Sequence, residues 1–211
     1  MKLHIAFVLL LALVALPVVA QQTIYSNGPT NGNTSFWEID GGFVVSDSFT
    51  TNGQKIGSLN FASWTFPGDV LQSAAVTITS AEAGGTVFYN QVVNFTQSGC
   101  SGNQYGYNVC TETASFGSGI NLAAGNYWLN LQNATVNTGD PIYWDENSGP
   151  SSASENSVGT IPSESFTVLG GSSTSTTTTS GGGTVPEPST VMLLGSGILG
   201  VAGVVRRRIM F

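Results

Sequence analysis

The stretch Tyr127-Trp128-Leu129-Asn130-Leu131-Gln132 places Tyr and Leu on one side of an extended chain and a mixed set on the other. Val76-Thr77-Ile78-Thr79 alternates in the same way, and residues 87–95 are rich in β-branched and aromatic side chains. A period of two with this composition is typical of β-strands. The centre of the chain therefore predicts strands.

Glycine and asparagine clusters separate these stretches at spacings that suit tight turns. No window from Gln21 to Leu169 has the periodicity of an amphipathic helix, and the length suits one domain. Several short strands in one domain predict an all-β fold, an antiparallel β-sandwich of immunoglobulin-like or jelly-roll type. The predicted turns are Asn52-Gly53, Gly84-Gly85, Gly117 to Gly119, Gly125-Asn126 and Thr138 to Pro141.

Two local patterns add detail to this sandwich. Leu122 to Tyr127 resembles a tyrosine corner, in which a tyrosine near a strand start bonds back across a turn. Ser46-Asp47-Ser48-Phe49-Thr50 and Ser163-Glu164-Ser165-Phe166-Thr167 are nearly the same pentapeptide. They could mark strands at related positions, but five residues are too few to establish a duplication.

The charge of the central region excludes several classes of function. Lys55 is its one basic residue against eleven acids, which gives a formal charge of −10. Such a domain cannot neutralise phosphates, so binding to nucleic acid or to anionic lipid is disfavoured. The sole histidine, His4, lies near the N-terminus, which leaves the domain without an imidazole for Ser-His-Asp, Cys-His or His-zinc chemistry.

Cys100 and Cys110 are the two cysteines of the chain. In an exported protein a disulfide between them is the default, and it would staple a hairpin or a long loop. A pair of free, reactive thiols is the alternative.

Both ends of the chain carry targeting features. Lys2, an apolar stretch from Ile5 to Leu16 and the small-residue exit Val18-Val19-Ala20 predict a signal peptide over residues 1–20, removed by signal peptidase. Residues 170–184 contain Gly, Ser and Thr alone, which predicts a flexible linker after the domain of residues 21–169.

The C-terminal residues 185–211 have the pattern of a stop-transfer membrane anchor. Val185-Pro186-Glu187-Pro188 precedes an uncharged run over residues 189–205, predicted to be a transmembrane helix, and Arg206, Arg207 and Arg208 follow it. The arginines mark the cytoplasmic side, so the rest of the chain lies outside. Composition alone leaves two readings open, a plain tail anchor and a sorting tail that is later removed.

The order of these three parts resembles the PEP-CTERM sorting signal of exported bacterial proteins. The resemblance implies recognition by an exosortase, a membrane transpeptidase, with processing near Pro186, Glu187 and Pro188. It implies export across the inner membrane, a C-terminal anchor and then a cell-surface or extracellular location, in the context of exopolysaccharide and biofilm. It covers only the tail, and it leaves open whether the tail is cleaved and what is attached.

Aromatic residues are the best candidates for a ligand surface. Tyr143 and Trp144 are followed by polar and acidic residues, which predicts an exposed loop whose rings could stack on sugars. Trp64 and Trp128 lie in predicted strands and are expected to fill the core.

Asp140, Asp145 and Glu146 offer oxygen atoms that suit calcium, but without a recognised loop spacing. Solvated turn acids are the favoured interpretation, so no cofactor is predicted, with calcium as the alternative.

The sequence thus predicts an exported surface protein with a non-catalytic structural or glycan-binding sandwich and no catalytic residues. The alternative is a carbohydrate-active enzyme, since a glycosidase needs two carboxylates and no histidine. Nothing in the sequence selects a pair from the candidates Glu38, Asp40, Asp47, Glu112, Asp145 and Glu146.

Overall fold

The computed structural model describes residues 21–171, and within this range every regular element is a β-strand. The first six strands are β1 (Thr23–Ser26), β2 (Phe36–Glu38), β3 (Val44–Asn52), β4 (Lys55–Thr65), β5 (Leu71–Ala81) and β6 (Gly84–Asn94). The others are β7 (Thr96–Gly102), β8 (Asn108–Asn121), β9 (Ala124–Val136), β10 (Tyr143–Asp145), β11 (Ala153–Glu155), β12 (Gly159–Ile161) and β13 (Phe166–Gly170).

The strands form two antiparallel sheets. In sheet A the order is β1-β13-β4-β10-β2, and β8 pairs with the other edge of β4 and with β7. Sheet B has the order β12-β11-β3-β9-β5-β6. The prediction of an all-β fold with two antiparallel sheets is confirmed.

Alternation along the strands explains why the two sheets pack together. Leu59 and Phe61 of β4 and Phe49 of β3 point into one buried apolar cluster that also contains Leu129 and Leu131 of β9. Each of these side chains is at most 2% exposed. Burying a large apolar side chain contributes about 1.5–3 kcal/mol, so this shared layer holds the sheets face to face.

The tyrosine corner is confirmed. Tyr127 lies near the start of β9 and its hydroxyl donates to the backbone oxygen of Ala123 at 3.1 Å. The bond crosses the turn that joins β8 to β9, which fixes the direction in which β9 enters sheet B.

The predicted turn at Gly117 to Gly119 is wrong, because these residues lie inside β8. The pairing with β4 shifts between Ile56 and Ser58, so β8 carries extra residues there as a bulge. Gly117 and Gly119 adopt positive φ angles of 56° and 80°. Glycine reaches this region without steric cost, which is why a glycine cluster serves a bulge as well as a chain reversal.

Candidate functional site

The residues that carry the targeting predictions lie outside the described part of the chain. They are the signal peptide (1–20), most of the linker, Val185, Pro186, Glu187, Pro188, the transmembrane helix (189–205) and the arginines Arg206, Arg207 and Arg208. Between residues 21 and 171 no helix is long and apolar enough to cross a membrane.

Cys100 and Cys110 form a disulfide, as predicted. The bond joins β7 to β8, two neighbouring strands of sheet A, and closes the loop between them. Asn103 orders the loop further, because its side-chain oxygen accepts from the backbone N–H groups of Tyr105 and Tyr107 at 3.0 and 3.1 Å. Two tyrosines are thereby held in fixed positions at the end of sheet A.

These tyrosines belong to a group of packed rings that we call the outer aromatic cluster, made of Phe36, Trp64, Phe66, Tyr105, Tyr107 and Tyr143. Ring centroids of neighbouring members lie between 4.3 and 5.9 Å apart. Trp64 is 1% exposed at the base, and the ring of Tyr105 stacks on it at 5.8 Å. Aromatic pairs at such distances contribute about 0.5–1.5 kcal/mol each beyond area burial, so the rings form a rigid surface.

The cluster is open to solvent on one side. Tyr105 is 54% exposed and Phe66 is 38% exposed, whereas Phe36, Tyr107 and Tyr143 are half-buried. Side-chain amides of Asn33 and Asn103 lie nearby, and the hydroxyl of Tyr105 donates to the backbone oxygen of Asn33 at 3.2 Å. Exposed aromatic faces bordered by amides provide both stacking surface and hydrogen-bond groups.

A pair of carboxyl groups borders the cluster beside Tyr143. The side chains of Glu38 and Asp40 are close enough to act on each other's pKa, and burial, the larger cause, raises the pKa of both. Burial, with Tyr107, Glu38 and Asp40 as further causes, raises the pKa of Tyr143 to about 12. Tyr143 therefore keeps its proton at neutral pH and can donate a hydrogen bond.

The exposed loop predicted for Trp144 is wrong. Residues Tyr143–Asp145 are strand β10, and Trp144 is 0% exposed with its indole N–H bonded to the backbone oxygen of Ser165 at 2.9 Å. Its ring packs on Phe61 and Phe166 in the core. Alternation along β10 sends Tyr143 to the outer face and Trp144 inward, so only Tyr143 is available to a ligand.

The core position predicted for Trp64 and Trp128 is only partly correct. Trp64 is buried, but under the outer aromatic cluster instead of between the sheets, and Trp128 is half-buried.

The three calcium candidates do not meet at one point. Asp140 is exposed, whereas Asp145 accepts from the backbone N–H of Asn31 and Gly32 and from the indole N–H of Trp64. Glu146 accepts from the indole N–H of Trp37 at 3.2 Å. Among residues 21–171, no group of three or more His, Cys, Asp or Glu side chains is arranged to hold a metal ion.

The remaining acids of the proposed catalytic set lie in the interior. Asp47 and Glu112 are 0% exposed, and burial raises the pKa of Asp47 to about 7 and the pKa of Glu112 above its usual range. Glu112 accepts from the side chains of Ser63 and Gln97 at 2.7 and 2.9 Å. Both groups are therefore enclosed by protein atoms in the described part of the chain.

Most of the outer aromatic cluster was missed by the sequence analysis, which selected only Tyr143. Two signals were present: Tyr105-Gly106-Tyr107 lies between the two cysteines, and Phe66 follows the strand that contains Trp64. The rings come from four separate segments, and pairing across sheet A is what brings them together.

The tail of the chain matches the family model of the PEP-CTERM protein-sorting motif over residues 184–208. The match contains Val185, Pro186, Glu187 and Pro188 and the three arginines at 206–208, and it supports an exported, exosortase-sorted protein displayed at the surface from a membrane anchor. No curated protein matches the chain in sequence.

Proposed function

We propose that the chain is a cell-surface or extracellular-matrix protein whose β-sandwich binds extracellular polysaccharide without catalysis. The PEP-CTERM motif at residues 184–208 carries the delivery half of this proposal. Signal peptidase and an exosortase are its processing partners, and the Gly/Ser/Thr segment of residues 170–184 separates the domain from the bilayer.

The outer aromatic cluster supports the binding half of the proposal. The exposed rings of Tyr105 and Phe66 offer flat apolar surface to the C–H face of a sugar, and the exposed residue Asn33, whose backbone oxygen is bonded by Tyr105, can bond its hydroxyl groups. The disulfide and the packing on Trp64 hold Tyr105 before a ligand arrives, and the ring of Phe66 packs on that of Tyr107 at 5.0 Å. A rigid surface loses little conformational entropy on binding, which favours affinity.

Charge selects the kind of polysaccharide. The region 21–169 has a formal charge of −10 and only Lys55 as a cation. Like charges repel, so an acidic polysaccharide would be disfavoured in the absence of bridging cations. The proposed ligand is a neutral polysaccharide.

The alternative function, a carbohydrate-active enzyme, draws on Glu38 and Asp40 beside the outer aromatic cluster. Their raised pKa values are a property that a general acid needs. However, Glu38 and Asp40 are two residues apart in the chain and close enough to act on each other's pKa, whereas glycosidases separate their carboxyl groups by about 5 Å or more. This spacing argues for binding over hydrolysis.

The binding surface is tested by substituting Tyr105 in the full-length chain. Tyr105→Ala should weaken binding to a neutral polysaccharide by about tenfold, the equivalent of roughly 1.4 kcal/mol. Phe88→Ala is the matched control, because Phe88 is 44% exposed but lies on β6 of the other sheet. Binding is measured on immobilised neutral glycans, and equal affinity of wild type, Tyr105→Ala and Phe66→Ala would refute the proposed surface.

The same samples separate the two functions. A binding module retains the polysaccharide without releasing reducing ends. Release that disappears in Glu38→Gln and Asp40→Asn, but persists in the Glu82→Gln control on the β5–β6 turn, would establish the enzyme instead.

Delivery is tested by intact mass of the protein extracted from the cell surface of a host that contains an exosortase. Wild type should begin at Gln21 and lack Phe211, whereas Glu187→Ala should retain Phe211. Glu82→Ala, in an exposed turn, should be processed as wild type. Retention of Phe211 in both wild type and Glu187→Ala would show that the tail is a plain anchor.

A further inference from the structure

The two similar pentapeptides come together across the sandwich. Ser46 to Thr50 lies in β3 of sheet B, and Ser163 to Thr167 leads into β13 of sheet A. Their phenylalanines, Phe49 and Phe166, both pack on the ring of Tyr25, at 6.2 and 5.4 Å. Equivalent positions of the two copies therefore face each other between the sheets.

The second residue of each pentapeptide is an acid, Asp47 in one and Glu164 in the other, and the two acids are buried next to each other. Both side chains are 0% exposed. One oxygen of Asp47 accepts from the backbone N–H of Glu164 at 2.7 Å and from the amide of Asn27 at 3.3 Å. Among residues 21–171, the other oxygen of Asp47 and both carboxylate oxygens of Glu164 have no hydrogen-bond partner.

No basic side chain in the described part of the chain neutralises this pair. Lys55 is the one basic residue between positions 21 and 171, and it is the first residue of β4, six positions before Phe61, which pairs with Phe166. The charged groups that act on Glu164 are acids, first Asp47 and then Glu146 and Asp145. Burying carboxylates with neither donors nor a counter-charge costs several kcal/mol, so the three free oxygens call for a cationic partner.

The neighbouring loop supplies neutral oxygen atoms. Within the described residues the hydroxyl of Ser151 is buried without a hydrogen-bond partner. The backbone N–H of Ser151 donates to the side-chain oxygen of Asn27 at 3.3 Å, and the amide of Asn27 in turn donates to Asp47. The backbone of Gly149 packs so closely on Asn27 that a Cβ atom at position 149 would overlap the backbone oxygen of Asn27. The glycine at position 149 is therefore what allows this loop to approach Asn27.

A route from solvent leads to the same place. A groove of about 630 Å³ is lined by Glu146, Asn147, Ser151 and the residues around them. Glu146 pairs with Glu164 in an isolated β-bridge, which places the groove next to the two acids. Asp47 and Glu164 do not line the groove themselves, so an ion would enter past Glu146 and Ser151, which do.

We propose that Asp47 and Glu164, with the hydroxyl of Ser151, hold a calcium ion that ties β3 of sheet B to the segment before β13 of sheet A. Calcium accepts six to eight oxygen ligands of mixed kind in irregular geometry, so two carboxylates, a hydroxyl and water suit it. With two carboxylates the site is smaller than a group of three or more His, Cys, Asp or Glu side chains, and no such group among residues 21–171 is arranged to hold a metal ion. This site differs from the Asp140, Asp145 and Glu146 set.

The test measures calcium binding by the full-length chain in detergent after treatment with EDTA. Equilibrium dialysis should give one calcium ion per chain, and calcium at about 1 mM should raise Tm by about 3–5 °C. Glu164→Gln should lose both effects. Glu112→Gln should keep both, because Glu112 is an equally buried acid that is already bonded to Ser63 and Gln97.

Terbium luminescence gives a second measurement that needs no variant. Terbium binds calcium sites, and Tyr25, whose hydroxyl bonds Asn27 at 2.9 Å, is close enough to sensitise it. Calcium should displace the signal. The proposal fails if wild type takes up no calcium and shows no terbium signal, or if Glu164→Gln binds calcium as wild type does.

Discussion

Asp145 and Glu164 lie in neighbouring segments and are both 0% exposed, yet their surroundings differ completely. The carboxylate of Asp145 accepts three N–H groups, from Asn31 at 2.7 Å, Gly32 at 2.8 Å and the indole of Trp64 at 2.6 Å. The carboxylate of Glu164 accepts none. Burial alone therefore does not reveal what a carboxylate does.

The direction of each side chain explains the contrast. Asp145 points to the outer face of sheet A, where the loop of residues 31–32 folds back over Trp64 and brings backbone donors. Beside Glu164, the backbone N–H of Glu164 and the amide of Asn27 both donate to Asp47, which leaves these donors to the other acid. An acid in the first position is a structural anchor, and an acid in the second has free oxygens for an external ligand.

Glu112 lies between these extremes, since one of its oxygens accepts from Ser63 and Gln97 and the other has no partner. In the described part of the chain, Asp145, Glu112 and Glu164 thus have three, two and no hydrogen-bond donors. Substituting each of them measures how much of the free-energy cost of burying a carboxylate these donors offset.

The largest effect is expected at Asp145. Asp145→Ala should lower the free energy of unfolding by about 3–5 kcal/mol, because three donors lose their acceptor and the loop of residues 31–32 loses its anchor. Urea denaturation of the full-length protein gives the value. Asp140→Ala, at an exposed position of the loop before β10, should change it by less than about 0.5 kcal/mol. A decrease in the free energy of unfolding of less than about 1 kcal/mol for Asp145→Ala would show that the three donors do not make Asp145 a structural anchor.

Glu164→Gln should act in the opposite direction when calcium is absent. In EDTA at neutral pH it should raise the free energy of unfolding by about 1–2 kcal/mol, because an uncompensated buried acid is replaced by a neutral amide that can donate to Asp47. The same denaturation assay provides the measurement. Destabilisation of this variant in EDTA would mean that Glu164 has donors of its own in the folded protein.

The smallest effect is expected at Glu112, and it depends on pH. Burial raises the pKa of Glu112 above 4.5, although the hydrogen bonds from Ser63 and Gln97 lower it. Because the pKa of Glu112 is higher in the folded than in the unfolded chain, protonated Glu112 stabilises the folded protein. This contribution to the free energy of unfolding is complete below about pH 4.5 and is lost as pH rises through the folded-state pKa.

Glu112→Gln removes this loss and keeps an oxygen for Ser63 and Gln97. The variant and wild type should have equal stability at pH 4, and the variant should become the more stable by up to about 1 kcal/mol at pH 8. Denaturation curves across this range measure the difference. A constant difference at all pH values would show that Glu112 does not change its protonation on folding.

Part of this structure was predictable because it depends on neighbours in the chain. The period of two at Val76 to Thr79 and at Tyr127 to Gln132 placed β5 and β9, and the tyrosine corner needed only six consecutive residues. The disulfide follows from export and from having just two cysteines. The prediction of an exposed loop at Trp144 was wrong because β10 has only three residues, too few to show alternation, and the polar residues after Trp144 suggested a loop.

The sequence by itself determined the antiparallel strands, the disulfide and the PEP-CTERM tail, since each is written in local residue order or composition. Tertiary structure alone decided which rings form the outer aromatic cluster and that Asp47 lies against Glu164, 117 residues away in the chain. The physical reason is that alternation tells which side chains share a face of one strand, whereas the register between strands and the stacking of sheets decide what each face meets.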